Sequence, residues 1–178
     1  IALEEPDLDI TATLSRAIAT HRPVEIEYVS MSSGASSRVV CPHSLLSNGL
    51  RWHVRAYDRK RSKFSDFVLN RVIAAKTLHK ERPGPDEIVS EDVDWVEEVE
   101  LVIQAHPRLD SHGRMAIEKE FSMHEGCLIK QVRKAQVGYL LNSWNVDSTP
   151  GADLRGHHIL LHLKNAESIK KMNIESFK

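Results

Sequence analysis

The chain has 178 residues, of which 41% are hydrophobic and 28% charged, a globular composition with room for one domain or two small ones. No run of 18 apolar residues occurs, which excludes a membrane-spanning helix, and the acidic start from Ile1 to Ile10 lacks the basic and apolar regions of a secretory signal. The net charge of −1 conceals an asymmetry: residues 1–21 carry −3, residues 22–82 carry +7 and residues 83–178 carry −5. The middle third is therefore basic, which suits an anionic ligand such as nucleic acid or a nucleotide, or else a basic surface compensated by acidic parts of the same molecule.

In chain order, residues 11–21 read as a helix. Asp9 or Thr11 caps it, Leu14, Ala17 and Ile18 form its apolar stripe, and His21-Arg22-Pro23 stops it. From Val24 the hydrophobic period changes to that of a strand: Val24, Ile26 and Tyr28 alternate with Glu25 and Glu27. A turn at Ser32–Ser36 leads to a second strand from Arg38 to Cys41, ended by Pro42. Asn48-Gly49 signals a tight hairpin into a third strand, Arg51–Tyr57. A charged loop, a fourth strand at Phe64–Leu69 and a fifth at Val72–Leu78 follow. Short strands joined by hairpin turns imply a small, strongly bent sheet or barrel.

Glu81–Glu87, with Pro83, Gly84 and Pro85, reads as a linker. Beyond it, strands at Val99–Ala105, Leu128–Val132 and His158–Leu163 alternate with helices at Arg114–Phe121, Gln136–Trp144 and Ala166–Met172, the last capped by Asn165. That pattern is an α+β sandwich. The expected organisation is a linker and helix over 1–21, a β-barrel over 22–80, a linker over 81–96 and an α+β part over 97–178. Val137, Tyr139, Leu140, Leu141 and Trp144 supply more apolar surface than one small helix needs to bury, so this last part is expected to dimerise.

The stretch Arg51–Asp58 carries the chemistry. Trp52, Val54 and Ala56 fall on one strand face, which suits a core; His53, Arg55 and Tyr57 fall on the other, which suits an anion or a base. Tyr28, Ser30, His43, His53, Arg55 and Arg71 come from different strands or strand ends and converge on one mouth if the sheet bends into a barrel. Arginine offers a fork for phosphate, Tyr and His offer stacking faces, and Ser a small donor. The plain alternative has Tyr28 in the core, both histidines on the surface and the arginines paired with Glu25, Glu27 and Asp66. Arg59, Arg61 and Lys63 in the charged loop suit backbone contacts to a nucleic acid, or simple solvation.

Signals for an enzyme are lacking: the chain has no Gly-x-Ser-x-Gly elbow, no His-Glu-x-x-His and no Walker loop, so no catalytic residues are expected. His158 and His162, placed on a strand, lie about 13 Å apart, which argues against a metal site, and no cofactor is expected. Cys41 and Cys127 form no CxxC pair and read as reduced thiols of a cytoplasmic protein.

Several ordered motifs of the middle third resemble the WYL domain. Trp52-His53-Val54 stands where that family has Trp-Tyr-Leu, with Ile26-x-Tyr28-x-Ser30, Pro42-His43 and Asn48-Gly49-x-Arg51-Trp52 before or around it and Phe67-x-Leu69-x-Arg71-Val72 after it. The variant Trp-His-Val-Arg-Ala-Tyr looks most like the WYL regulators of bacterial phage-defence islands, of the BREX and CBASS-associated type, and residues 97–178 resemble the extension that follows the WYL domain there. The resemblance implies an Sm-like or SH3-like barrel that senses a nucleic acid or nucleotide effector. It also implies a homodimeric, cytoplasmic transcriptional regulator that meets operator DNA through an upstream winged helix-turn-helix. Residues 1–21 are too short to hold that element, and the chain starts at Ile1 rather than Met, so a fragment is expected. Residues 28, 30, 43, 55 and 71 match the polar positions expected around this subgroup's pocket. His53 and Val54 depart from the family's Tyr and Leu, so the ligand's identity does not carry over.

Overall fold

The structure, a computed structural model, describes residues 3–32 and 34–174; Ser33, within the expected Ser32–Ser36 turn, lies outside the described residues. The chain divides into two compact units, Ile1–Asp92 and Val93–Lys178.

The first unit opens with α1 (Leu8–Thr20). It starts earlier than its apolar stripe because Asp7 is the cap, its Oδ1 accepting from the backbone N–H of Asp9 and Ile10 at 2.9 Å each. Strands β1 (Val24–Ser30), β2 (Gly34–Ser47), β3 (Trp52–Asp58), β4 (Lys63–Val68) and β5 (Val72–Thr77) form an antiparallel sheet in the order β4-β3-β2-β1-β5. Among the described residues no ladder joins β4 to β5, so the sheet is open there and a closed barrel is not seen.

Two local features depart from expectation. Strand β2 does not end at Pro42: its register shifts between Pro42 and Ser44, and this bulge absorbs the residue without an N–H so that pairing continues to Ser47. Trp52 is not core but 47% exposed, because it is the first residue of β3, beyond the patch that α1 covers. The Asn48-Gly49 hairpin forms as expected. Asn48 Oδ1 accepts from the N–H of Leu50 and Arg51, and Gly49 takes the positive φ (85°) that such a turn requires.

Leu14 and Ala17 of α1 pack on Val24, Ile26, Val40, Val54, Ala56 and Phe67. Each large aliphatic side chain buried there contributes about 1.5–3 kcal/mol. Tyr28 belongs to this core: its ring meets Phe67 edge-on with centroids 5.1 Å apart, and its hydroxyl accepts from Val68 N–H at 3.3 Å.

The second unit comprises α2 (Val93–Val96), β6 (Glu98–Ala105), α3 (Ser111–Glu120), β7 (Cys127–Arg133), α4 (Val137–Ser143), β8 (Val146–Asp147), β9 (Leu161–Leu163) and α5 (Ala166–Lys171). Its sheet runs β7-β6-β9-β8, antiparallel except for β8 with β9. The expected strand from His158 begins only at Leu161, and the two-residue β8 had no sequence signal of its own. Asn165 does not cap α5 through its side chain. Instead its amide pins β6, accepting from Val102 N–H at 3.0 Å and donating to Glu100 C=O at 2.8 Å. Val137 and Leu141 are buried with Leu101, Ile103, Leu161 and Ile169, and Leu140 and Trp144 pack against the same core. Much of the apolar circumference of α4 is thus covered within its own unit. Among the described residues no helix is long and apolar enough to cross a membrane, and no three His, Cys, Asp or Glu side chains gather as a metal site.

Candidate ligand-binding face

Strand β3 is buried on both sides. Val54 and Ala56 point into the α1 core, and the alternation turns His53, Arg55 and Tyr57 to the opposite face. Pairing across β2 and β4 sets Cys41 and Phe64 beside Tyr57, Asp66 beside Arg55 and Val68 beside His53. His53 and Arg55, expected on an open face, are about 5% and 6% exposed. What covers this polar face includes the chain from Pro85 to Asp92, two single 3-10 turns at Pro85–Glu87 and Val89–Glu91 ending in Asp92.

The carboxylates of that segment reach the basic groups. Asp92 takes Arg55 side-on, with Nε donating to Oδ2 at 2.6 Å and Nη2 to Oδ1 at 2.8 Å, and His43 Nε2 lies 2.9 Å from the same Oδ2. Arg55 Nη1 also donates to Asp66 Oδ1 at 3.1 Å. Burial opposes both charges, but hydrogen bonds prevail: those from His43 and Arg55 hold Asp92 below the usual carboxylate range, and those to Asp92 and Asp66 hold Arg55 above the usual arginine value. Glu87 accepts from Arg59 Nε and Nη2 at 2.8 and 2.9 Å, and from the Cys41 thiol at 3.2 Å. Those bonds, Arg59 foremost, hold Glu87 at about 2. Burial and the neighbouring Glu87 push the Cys41 thiol up to about 12, so it is no nucleophile at neutral pH.

Both carboxylates are lowered on folding, so their contribution to stability is complete above their unfolded values; that of Glu87 is lost as pH falls from about 4.5 through about 2, and that of Asp92 as pH falls below 3.8. An acid titration followed by circular dichroism is therefore expected to destabilise the first unit progressively over that window. Asp92→Asn combined with Glu87→Gln should flatten the dependence; an unchanged profile in that variant would exclude these two groups as its cause.

The sequence-predicted residues separate into two sets. His43, His53, Arg55 and Arg71 share this side of the molecule, whereas Tyr28 lies in the core and Ser30 bonds Ser32 at the end of β1 (Oγ to Oγ 3.1 Å). Burial, reinforced by the positive charges of Arg51 and Arg71 and opposed by Asp66, lowers the His53 pKa and keeps the ring neutral at pH 7. Arg51 and Arg71, both half-buried, have no ion-pair partner among the described residues, unlike Arg38, Arg55 and Arg59. Arg51 also lines a cavity of about 370 Å³ with Trp52, Leu50, Ser47, Asn70 and the Leu3–Pro6 segment. In the expected contact loop, Arg61 and Lys63 are exposed, but Arg59 is engaged by Glu81 and Glu87. Asp92 and Glu87 were not anticipated as part of the site; the acidic balance of residues 83–178 was their only trace.

Two family models match the chain. The WYL domain matches residues 9–77, and the family described as BrxR transcriptional regulator, C-terminal dimerization domain, matches residues 98–169. The chain thus joins a WYL domain to a BrxR-type C-terminal dimerization domain. It is 34% identical over 169 residues to the DNA-binding transcriptional repressor CapW of Escherichia coli (strain KTE188), covering 94% of this chain and 54% of that protein. To the CapW repressor of Pseudomonas aeruginosa it is 36% identical over 165 residues, covering 92% and 54%. The chain spans about half the length of the curated relatives it matches. A solved structure, proteasome accessory factor B/C of Arthrobacter aurescens, aligns with a TM-score of 0.42 and 14% identity over 99% of this chain and 28% of that one. Neither matched domain is described as an enzyme.

Proposed function

We propose that this chain is the ligand-sensing and dimerisation portion of a cytoplasmic bacterial repressor. In this reading the 22–80 module works as an Sm-like or SH3-like barrel that binds a phosphate-bearing effector, nucleic acid or nucleotide. Residues 97–178 hold a homodimer together, residues 81–96 connect the two, and an upstream winged helix-turn-helix reads operator DNA. The effector biases the dimer between DNA-competent and DNA-incompetent arrangements by binding one more tightly than the other.

The observation that carries the sensor reading is the pair Arg51 and Arg71. Two half-buried guanidinium groups without carboxylate partners among the described residues flank neutral His53, on a module whose other arginines are mostly neutralised. Guanidinium groups held so are suited to phosphate, and a neutral imidazole to a base edge. Arg51, Arg71, His53, Arg55 and His43 are the proposed contacts; Tyr28 supports them from the core and Ser30 marks the rim.

A second reading, a ligand-free interaction module, is favoured by the engagement of Arg55 with Asp66 and Asp92. Fluorescence anisotropy with labelled short single-stranded DNA and RNA, and with cyclic dinucleotides as competitors, separates the two. The sensor reading expects binding that Arg71→Ala weakens about tenfold, with the salt dependence shallower by about one counterion. No binding at low salt by any of these probes supports the second reading.

A further inference from the structure

We propose that Asp92 is a built-in carboxylate plug: it occupies the phosphate position of the effector site, and the effector binds by displacing it from Arg55 and His43. This inference rests on the sensor reading above. Three donors, Arg55 Nε and Nη2 and His43 Nε2, converge on one carboxylate at 2.6, 2.8 and 2.9 Å. A bidentate guanidinium fork plus a third N–H is the donor set that two phosphate oxygens require, and carboxylate and phosphate present their oxygens to it alike. Glu87 does the same to Arg59, so the segment answers the basic face at two points.

The way the segment is held makes it displaceable. Neither of its 3-10 turns buries any residue, and Ile88 and Val89 stand 43% and 42% exposed. Its hydrogen bonds to the sheet run through Glu87 and Asp92. Segments without an apolar anchor open at low cost compared with a packed strand or helix. Exchanging one buried anion for another leaves Arg55 paired throughout, so the step avoids a bare buried charge. Asp92 is also the last residue of the first unit.

The test titrates tripolyphosphate, a chain of phosphates without a base, and labelled oligodeoxythymidylate against wild type, Asp92→Asn, Asp92→Asn combined with Glu87→Gln, and Arg71→Ala. Asparagine keeps one acceptor for Arg55 while removing the competing charge. Affinity for both probes is expected to rise at least about tenfold in Asp92→Asn and further in the double variant. In wild type, amide hydrogen exchange across residues 85–92 is expected to accelerate when either probe saturates. If wild type binds with Arg71 dependence but a folded Asp92→Asn variant binds no tighter, the plug is wrong and the sensor reading survives. If neither protein binds either probe, the sensor reading fails and the plug with it. If Asp92→Asn does not fold, the exchange measurement decides: unchanged exchange over 85–92 at saturation overturns the plug.

Discussion

Asp147→Ala is expected to lower the stability of the second unit by about 3–5 kcal/mol, read as a shift of its urea midpoint by circular dichroism. Asp147 is fully buried and its two oxygens are saturated. Oδ1 accepts from the Thr149 N–H and hydroxyl at 2.8 and 2.7 Å; Oδ2 accepts from Leu154 N–H at 2.9 Å and His106 Nε2 at 3.2 Å. His106 is also fully buried, and its Nδ1 accepts from Arg108 N–H, so Nε2 carries the proton that Asp147 accepts. Burial alone would raise the Asp147 pKa, yet these bonds hold it below the usual range. Alanine strands the fully buried His106 beside a lost anion, at about 1–3 kcal/mol, and leaves two part-buried backbone N–H groups to find new acceptors. Asp147→Asn should cost less, because one oxygen still serves Thr149 while the new amide meets the other donors with N–H groups of its own. A wild-type midpoint in Asp147→Ala would show that the loop from Val146 to Leu154 does not depend on this carboxylate.

Asp58→Ala is expected to cost the first unit a similar amount, about 3–5 kcal/mol. Asp58 is fully buried, receives Arg38 Nη1 at 2.6 Å and accepts from Lys60 N–H at 2.9 Å, while the Arg38 guanidinium lies 6.0 Å from the Phe67 ring centre. Removing the carboxylate leaves a desolvated cation against an aromatic core. Replacing both partners with apolar residues, Arg38→Met with Asp58→Leu, removes the stranded charge as well. The double variant is therefore expected to be more stable than Asp58→Ala alone, with a coupling of about 0.5–3 kcal/mol. Additive losses would mean that the pair does not act as one buried unit.

Period-two alternation in Val24, Ile26 and Tyr28, and in Val54 and Ala56, marks β1 and the inner face of β3, and the structure buries all of these. The same alternation includes Trp52, which it cannot distinguish from Val54, because the limit of α1 coverage is a tertiary fact. Pro42 reads as a stop because the missing N–H disallows a regular ladder; only the partner strand reveals that a bulge accommodates it. Strand β8 is two residues long and exists through its pairing with β9, so no periodicity announces it. The polar face follows the same division. His53 and Arg55 announce themselves by odd chemistry on a strand. Asp92, which engages Arg55 across 37 residues of sequence, sits in a stretch with the Pro, Gly and charge content of a linker. Tyr28 resembles a ligand residue by type, but its even spacing with Val24 and Ile26 already placed it with the core.

The central claim is that an anionic effector binds the polar face of the first unit. Amide chemical-shift mapping of the chain with saturating oligodeoxythymidylate tests it most directly. Shifts are expected to concentrate at Arg51–Arg55, at Asp66–Arg71 and across 85–92. Shifts confined to the exposed Arg61–Lys63 turn, or to residues 93–174, would contradict it.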